Sequence, residues 1–279
     1  MPELPEAQTI ATDLDSKLKG QAIFQAKVFS SSVINKDSDL SLLLHKPILG
    51  VERKGKMILF CFASETYLLT SLRMTGQFLF GDFPQGMDPP CHVRLAFALK
   101  DAKGTDENSG GGALLYRDIR KFGRLYVRQG EDYVQLLNSF RQGTDALAIT
   151  LDELMDKLKG SSKSIKSLLM DQYNLAGLGN IYATEILFSS GVNPIKPASS
   201  LKKEEFQSIY ENMRSILSKA IEERGSTVDN YEAPFGKGNY QNFHRAYGKA
   251  KGLCPICHKP FSLVKEAGRS TVFCPNCQK

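Results

Sequence analysis

With 279 residues, 42% hydrophobic and 24% charged, the chain is long enough for two domains and has an ordinary globular composition. No run approaches the 18 consecutive apolar residues of a membrane span, and no charged-then-apolar leader opens the chain, so a cytosolic (cytoplasmic) or nuclear protein with its own terminus intact is expected. The net charge of +6 is uneven: residues 1–149 carry 18 Lys/Arg against 17 Asp/Glu and residues 150–232 carry 10 against 12, while residues 233–279 carry 8 against Glu266 alone. That basic end suits a polyanion, and a solvated basic tail is the competing reading.

The chain opens Met1-Pro2-Glu3-Leu4-Pro5-Glu6. Trimming of Met1 would leave Pro2 as a free secondary amine. An α-amino group titrates near neutrality, about 7.7 to 8.0, so a sizeable share is unprotonated and can attack an electrophilic carbon, collapsing to an iminium ion that serves as an electron sink. Glu3 and Glu6 stand beside it as proton carriers. The plain alternative is that Pro5 and the acidic residues merely start a helix.

From Pro5 to Lys19, Ala7, Ile10, Ala11, Leu14 and Leu18 recur at helical spacing, with Gly20 at the C-cap position. The period then changes. Ile23–Phe29, Ile48–Arg53, Met57–Phe62, Tyr67–Leu72, Gln77–Phe80, His92–Leu99, Ala113–Tyr116 and Arg124–Val127 are short branched and aromatic runs separated by turn residues, which predicts a β-sandwich. Cys61 and Cys91 fall in strand patterns and are expected in the core. Residues 101–112, rich in glycine and polar side chains, read as a mobile hairpin loop without function.

Helical patterning takes over near residue 131: Leu136-Leu137, Leu151–Leu158, Ile165–Met170, Ile181–Phe188 and Phe206–Ile221. Leu175-Ala-Gly-Leu-Gly-Asn-Ile181 joins two of these helices, an elbow whose backbone N–H groups can hold a phosphate, although helical hairpins also use glycine for steric reasons. Residues 225–252 carry Tyr231, Phe235, Tyr240, Phe243 and Tyr247 and are too polar for a helix; they form either a flap over a ligand or a connector.

Cys254-Pro-Ile-Cys257 and Cys274-Pro-Asn-Cys277 are the strongest isolated motif. Two such pairs let four thiolates converge on one tetrahedral ion, so one structural zinc is expected, with a redox dithiol or disulfides as the competitor. Lys259, Lys265 and Arg269 lie between the pairs and make the hairpin a plausible finger for a DNA groove.

Together the opening hexapeptide, Arg117-Asp-Ile-Arg-Lys-Phe-Gly123, Leu175–Asn180 with Asn180-Ile-Tyr-Ala-Thr-Glu185, and Phe273-Cys-Pro-Asn-Cys-Gln278 closely resemble the formamidopyrimidine-DNA glycosylase family, whose relatives include the endonuclease VIII enzymes. The similarity runs end to end. It implies an α+β protein of two domains: an N-terminal β-sandwich with a leading helix (1–130), a linker (131–150), a helix-two-turn-helix domain (151–224), a lesion-capping loop (225–247) and a β-hairpin zinc finger (248–279).

The resemblance also implies roles. Pro2 attacks the sugar C1′ of a damaged nucleotide, Glu3 moves protons, Lys56 contacts phosphate near the lesion and assists catalysis, and Arg269 pinches the same backbone from the zinc hairpin as Asn180 does from the elbow. DNA contacts fall on Ser71, Met74, Arg120, Phe122, Lys166 and Asn180; Phe122 wedges between bases, Arg120 bonds the orphaned partner base and Met74 fills the vacated volume. Taken singly, Met74 as a strand packer, Phe122 as core and Arg120 as surface charge would be routine.

The family pattern His-Leu-x-Met reads Ser71-Leu-Arg-Met74 here, which puts a phosphate contact at that place in doubt although a hydroxyl can donate. Leu4, where the endonuclease VIII branch commonly has glycine, and the 225–247 loop favour oxidised purines, 8-oxoguanine and formamidopyrimidines. The implied enzyme is a bifunctional base-excision-repair glycosylase and abasic-site lyase acting on duplex DNA as a monomer. An enzyme for oxidised pyrimidines and a non-catalytic zinc-dependent DNA-binding module are the alternatives.

Overall fold

The computed structural model describes residues 2–279 apart from Met87, Pro89, residues 103–111, residues 228–233 and Ala267. Most of the expected loop at 101–112 and part of the expected capping loop therefore lie outside the described residues. The chain divides into two compact units: Pro2 with residues 6–140 and 227–238, and residues 3–5, 141–226 and 239–279.

In the first unit, α1 (Leu4–Leu18) buries Ala7, Ile10, Ala11, Leu14 and Leu18. Among the described residues eight antiparallel strands follow: β1 (Gln21–Val28), β2 (Ile48–Lys54), β3 (Met57–Phe62), β4 (Thr66–Ser71), β5 (Gly76–Gly81), β6 (Val93–Asp101), β7 (Ala113–Asp118) and β8 (Arg124–Gln129). They form two four-stranded sheets, ordered β1-β6-β7-β5 and β2-β3-β4-β8. Phe60 of one sheet meets Phe78 of the other edge to face, centroids 5.2 Å apart, in a core shared with the apolar face of α1. This is the sandwich that the short alternating runs predict.

Strand β3 is apolar on both faces because α2 (Glu131–Ser139) covers its outer side: Met57, Leu59, Leu69 and Tyr133 cluster there, with Tyr67 stacked on Tyr133 at 3.9 Å. Residues 131–139 are thus helix packed on the sandwich. Cys61 is half-buried in β3, and burial pushes its thiol up to about 11. Cys91 departs from expectation: it is exposed in the turn before β6, two residues short of the strand.

The second unit runs β9 (Thr144–Asp145), α3 (Leu151–Leu158), α4 (Ile165–Met170), β10 (Leu175–Ala176), α5 (Asn180–Ser189), α6 (Lys203–Glu222), β11 (Ser262–Glu266) and β12 (Arg269–Phe273). Short β9 and β10 pair in parallel, and β11 and β12 form an antiparallel hairpin. Thr150 and Glu153 cap α3 reciprocally, each side chain taking the other's backbone N–H. Residues 181–188 of α5 are all buried, as expected for a helix that is apolar all round. Phe188 joins Ala246, Cys254, Phe261, Val272 and Cys274 in one cluster, so α5 and the cysteine hairpin share a core. Among the described residues no helix is long and apolar enough to cross a membrane.

Candidate active site and nucleic-acid interface

The N-terminal segment is held by long-range contacts. Pro2 is buried, and Glu3, 3% exposed, accepts three backbone hydrogen bonds at the start of α5: Gly179 N–H to Oε2 at 2.8 Å, Ile181 N–H to Oε1 at 2.9 Å and Tyr182 N–H to Oε2 at 3.3 Å. A helix N-terminus favours an anion through its unpaired N–H groups and its dipole. The elbow amides expected to hold a phosphate are therefore taken, at these three positions, by a carboxylate of the same chain. Leu4 N–H donates to Gly177 O at 3.0 Å. Gly177 has φ +108, and a Cβ there would come within 2.6 Å of the buried Leu4 side chain. Glycine is required at that point for both reasons, and Leu4 has a packing role of its own.

The elbow also docks the hairpin. Asn180 Nδ2 donates to Ser270 O at 3.3 Å, while its buried Oδ1 has no partner among the described residues. Ser164, which caps α4, donates to Glu266 Oε1 at 2.6 Å, and Lys166 Nζ donates to Thr271 Oγ1 at 2.9 Å. Arg269 stands exposed at the first position of β12 beside the Gly268 turn, φ +74. Lys166 differs from a surface phosphate ligand. It is 1% exposed, and burial draws its ammonium down to about 8 against the nearby Glu3 carboxylate, which favours the charge. Its hydrogen bond braces the hairpin.

Cys254, Cys257, Cys274 and Cys277 place their sulfurs within 4.8 Å of one another. Two of the separations are 3.8 Å, Cys254 to Cys277, and 3.5 Å, Cys257 to Cys274. Tetrahedral zinc with bonds of about 2.3 Å sets sulfurs about 3.8 Å apart, so the four residues fit one ion. Four thiolates fill the coordination shell and leave no position for a substrate, so the zinc is structural. Within the cluster the Lys259 backbone N–H holds the Cys257 thiol below its ordinary range, while burial pushes Cys274 and Cys277 up. Gln278 ties the hairpin to the α5 end: its Oε1 accepts from Cys274 N–H at 2.8 Å and its Nε2 donates to Val192 O at 2.9 Å.

In the first unit the remaining site residues sit on turns. Half-buried Lys56 lies in the β2–β3 turn beside Gly55, φ +59. Arg53 stiffens this turn, donating from Nη1 to Gly55 O at 3.1 Å and from Nε to Gln8 Oε1 at 3.0 Å. Ser71 ends β4, paired with Met57 and Arg124. Met74 follows on the β4–β5 turn and is 45% exposed; Phe122, on the β7–β8 turn, is 50% exposed. The Arg120 guanidinium lies 4.5 Å from the Phe122 ring centroid. Two large apolar side chains and a cation held out in water on neighbouring turns are what an element inserted into a base stack needs.

Sequence reasoning gave Glu185 no role of its own. It is 1% exposed on α5 and accepts backbone N–H bonds from Arg245 (2.8 Å), Ala246 (3.0 Å) and Tyr247 (2.7 Å), fastening the turn that leads into the cysteine hairpin. Nearby, His244 Nε2 meets Ser226 Oγ at 2.9 Å, and burial holds the imidazole below its ordinary range. The signal for Glu185 was available: one carboxylate in the apolar run Tyr182–Phe188 requires a buried partner.

Comparison with known proteins agrees along the whole chain. Residues 1–125 match the formamidopyrimidine-DNA glycosylase N-terminal domain, residues 143–232 the formamidopyrimidine-DNA glycosylase H2TH domain, and residues 253–279 a zinc finger found in FPG and IleRS. The formamidopyrimidine-DNA glycosylase of Carboxydothermus hydrogenoformans is 34% identical, covering 100% of both chains, and that of Thermus thermophilus is 36% identical over 100% of this chain and 98% of its own. The crystal structure of a Thermus thermophilus MutM (FPG) protein superposes with a TM-score of 0.85 at 34% identity, over 99% of this chain and 98% of that one. A Lactococcus lactis FPG mutant in complex with Fapy-dG-containing DNA superposes at 0.89, with 29% identity and 100% of each chain covered. Matched over its whole length by relatives of 34–36% identity, the chain is a member of the formamidopyrimidine-DNA glycosylase family.

Proposed function

We propose that this protein excises oxidised purines, 8-oxoguanine and formamidopyrimidines, from duplex DNA and cleaves the strand at the resulting abasic site. The observation that carries the reading is the anchoring of Glu3, next to Pro2, by three backbone N–H groups of the Asn180 helix, which orders a segment that would otherwise fray. With Met1 removed, the Pro2 nitrogen attacks C1′ of the damaged nucleotide, the C1′–base bond breaks, and the sugar ring opens to an iminium at C1′. That cation acidifies the C2′ proton, so β- and then δ-elimination expel both phosphates and leave a one-nucleotide gap. Glu3 serves the proton transfers, and Lys56, Asn180 and Arg269 grip the backbone around the lesion.

Reaching C1′ requires taking the nucleotide out of the stack, which costs roughly a few kcal/mol. Met74, Arg120 and Phe122 fill and hold the gap, with Ser71 donating to the nearby backbone and Lys166 bracing the Arg269 hairpin. The protein works as a cytoplasmic monomer on chromosomal DNA. Borohydride trapping on a duplex carrying 8-oxoguanine tests the chemistry. A covalent adduct is expected from protein whose intact mass lacks Met1, and none from protein with a blocked terminus that still binds DNA. Full lyase activity from capped protein refutes the Pro2 mechanism, and preferential excision of dihydrouracil refutes the purine preference.

A further inference from the structure

The turns that carry Met74 and Arg120–Phe122 are joined by side chains to which the site described above assigns no part. Thr75 Oγ1 donates to Asp118 Oδ1 at 2.5 Å and accepts from Arg120 N–H at 3.0 Å. The other Asp118 oxygen accepts from Gly123 N–H at 2.8 Å. Asp118 is itself 0% exposed, and its backbone is fixed from outside: its N–H donates to His92 O at 3.0 Å and its carbonyl accepts from Arg94 Nε at 2.8 Å. One carboxylate therefore spans both ends of the Arg120–Phe122 turn and reaches the residue after Met74.

The spacing between the turns is set as well. Tyr116 is fully buried and its hydroxyl has no hydrogen-bond partner among the described residues. A Cβ on Gly76 would lie 2.6 Å from that oxygen, and one on Gly123 only 1.7 Å away. The hydroxyl is wedged between the two glycine backbones, one per turn. Burial and the Asp118 carboxylate hold the phenol well above its ordinary range, so it stays neutral.

We propose that Thr75, Asp118 and Tyr116 are positioning residues that lock the Met74 turn to the Arg120–Phe122 turn, so that the three inserting side chains enter the base stack as one rigid unit. The inference rests on the repair reading above. In its absence Arg120 and Phe122 would have to be ordered at each encounter with DNA, and the orphaned base would be read less sharply.

Thr75→Val keeps the side-chain shape and removes the hydroxyl; Thr75→Ser restores it. Amide hydrogen exchange reads the coupling without DNA. In Thr75→Val the Gly123 amide, which Thr75 does not touch, is expected to exchange roughly tenfold faster, as a charge-assisted bond to its acceptor is lost. On a duplex with 8-oxoguanine, the single-turnover rate is expected to fall roughly tenfold with KM little changed, discrimination between cytosine and adenine opposite the lesion to narrow, and Thr75→Ser to recover both. Faster exchange confined to Arg120, a Thr75→Val enzyme with wild-type rate and discrimination, or equal damage in Thr75→Ser overturns the inference. A wild-type protein that forms no borohydride adduct overturns the repair reading instead, and the exchange result still decides the coupling.

Discussion

Two exposed arginines are delivered by opposite means. Arg269 stands on a hairpin held by four cysteines and a zinc ion, with few apolar residues of its own and tethers to α4 and α5 through Ser164, Lys166 and Asn180. Arg120 stands on a turn between two strands of a well-filled sandwich, held by one buried carboxylate. A turn on a large core needs only hydrogen bonds, because the core already fixes the strands that enter and leave it. A hairpin of five-residue strands buries too little to persist alone, and a metal supplies what the core does not. The first arrangement fails gradually and the second all at once.

Removing the metal gives the largest expected effect. Cys257→Ser, or chelation of the wild type, should unfold residues 253–279, withdraw Arg269 and weaken duplex DNA binding by roughly 100-fold or more. Amide exchange at Arg120 and Gly123 should stay as in the wild type. Unchanged affinity in the metal-free protein would show that the hairpin is not a DNA contact, and loosened amides at 120–123 would erase the contrast between the two arginines.

The Lys166 tether sharpens the comparison through pH. In the folded protein its pKa is drawn down to about 8 from 10.5. The unfolded chain therefore binds the proton more tightly, and between these values stability rises with pH. Below about pH 8 the folded state bears the full cost of a buried ammonium, on the order of 3 kcal/mol. Lys166→Met removes that cost along with the bond to Thr271. Urea unfolding should show the wild type gaining on the variant by about 2–3 kcal/mol between pH 7 and pH 10. A stability difference that does not move with pH would mean that Lys166 is hydrated in solution.

These dependences also mark what could be read from the residues alone. The eight strands, the long helices and the metal ligands follow from periodicities and spacings within short windows: Met57–Phe62 reads as a buried strand and Cys254–Cys257 as half a zinc site from a few residues each. Partnerships across the chain do not. Nothing near Glu3 indicates that its acceptor role is filled by amides 176 to 179 residues later, and that contact is what occupies the elbow read as a phosphate cradle. Lys166 looks like any surface cation of an amphipathic helix until the hairpin folds over it, and Asp118 gives no hint that Thr75 is within reach. Cys91 shows the converse error, a strand-like neighbourhood whose register ends just short of it. Local pattern thus places the elements, and tertiary packing decides which polar groups remain available.

The smallest expected effect separates the two jobs of Ser164. Its Oγ accepts the Ser167 N–H at 3.3 Å as the cap of α4 and donates to Glu266 at 2.6 Å as a tether to the hairpin. Ser164→Ala removes both, and a lost cap costs about 1 kcal/mol. DNA affinity should fall about threefold, since a hairpin still closed by zinc loses one neutral-to-charged bond of modest net worth. Ser164→Asp keeps the cap acceptor but sets a second carboxylate against Glu266. It should therefore recover part of the urea midpoint lost in Ser164→Ala and bind DNA no better than Ser164→Ala. Recovery of both in the aspartate variant would assign Ser164 to the helix alone and leave zinc, Lys166 and Asn180 as the supports of Arg269.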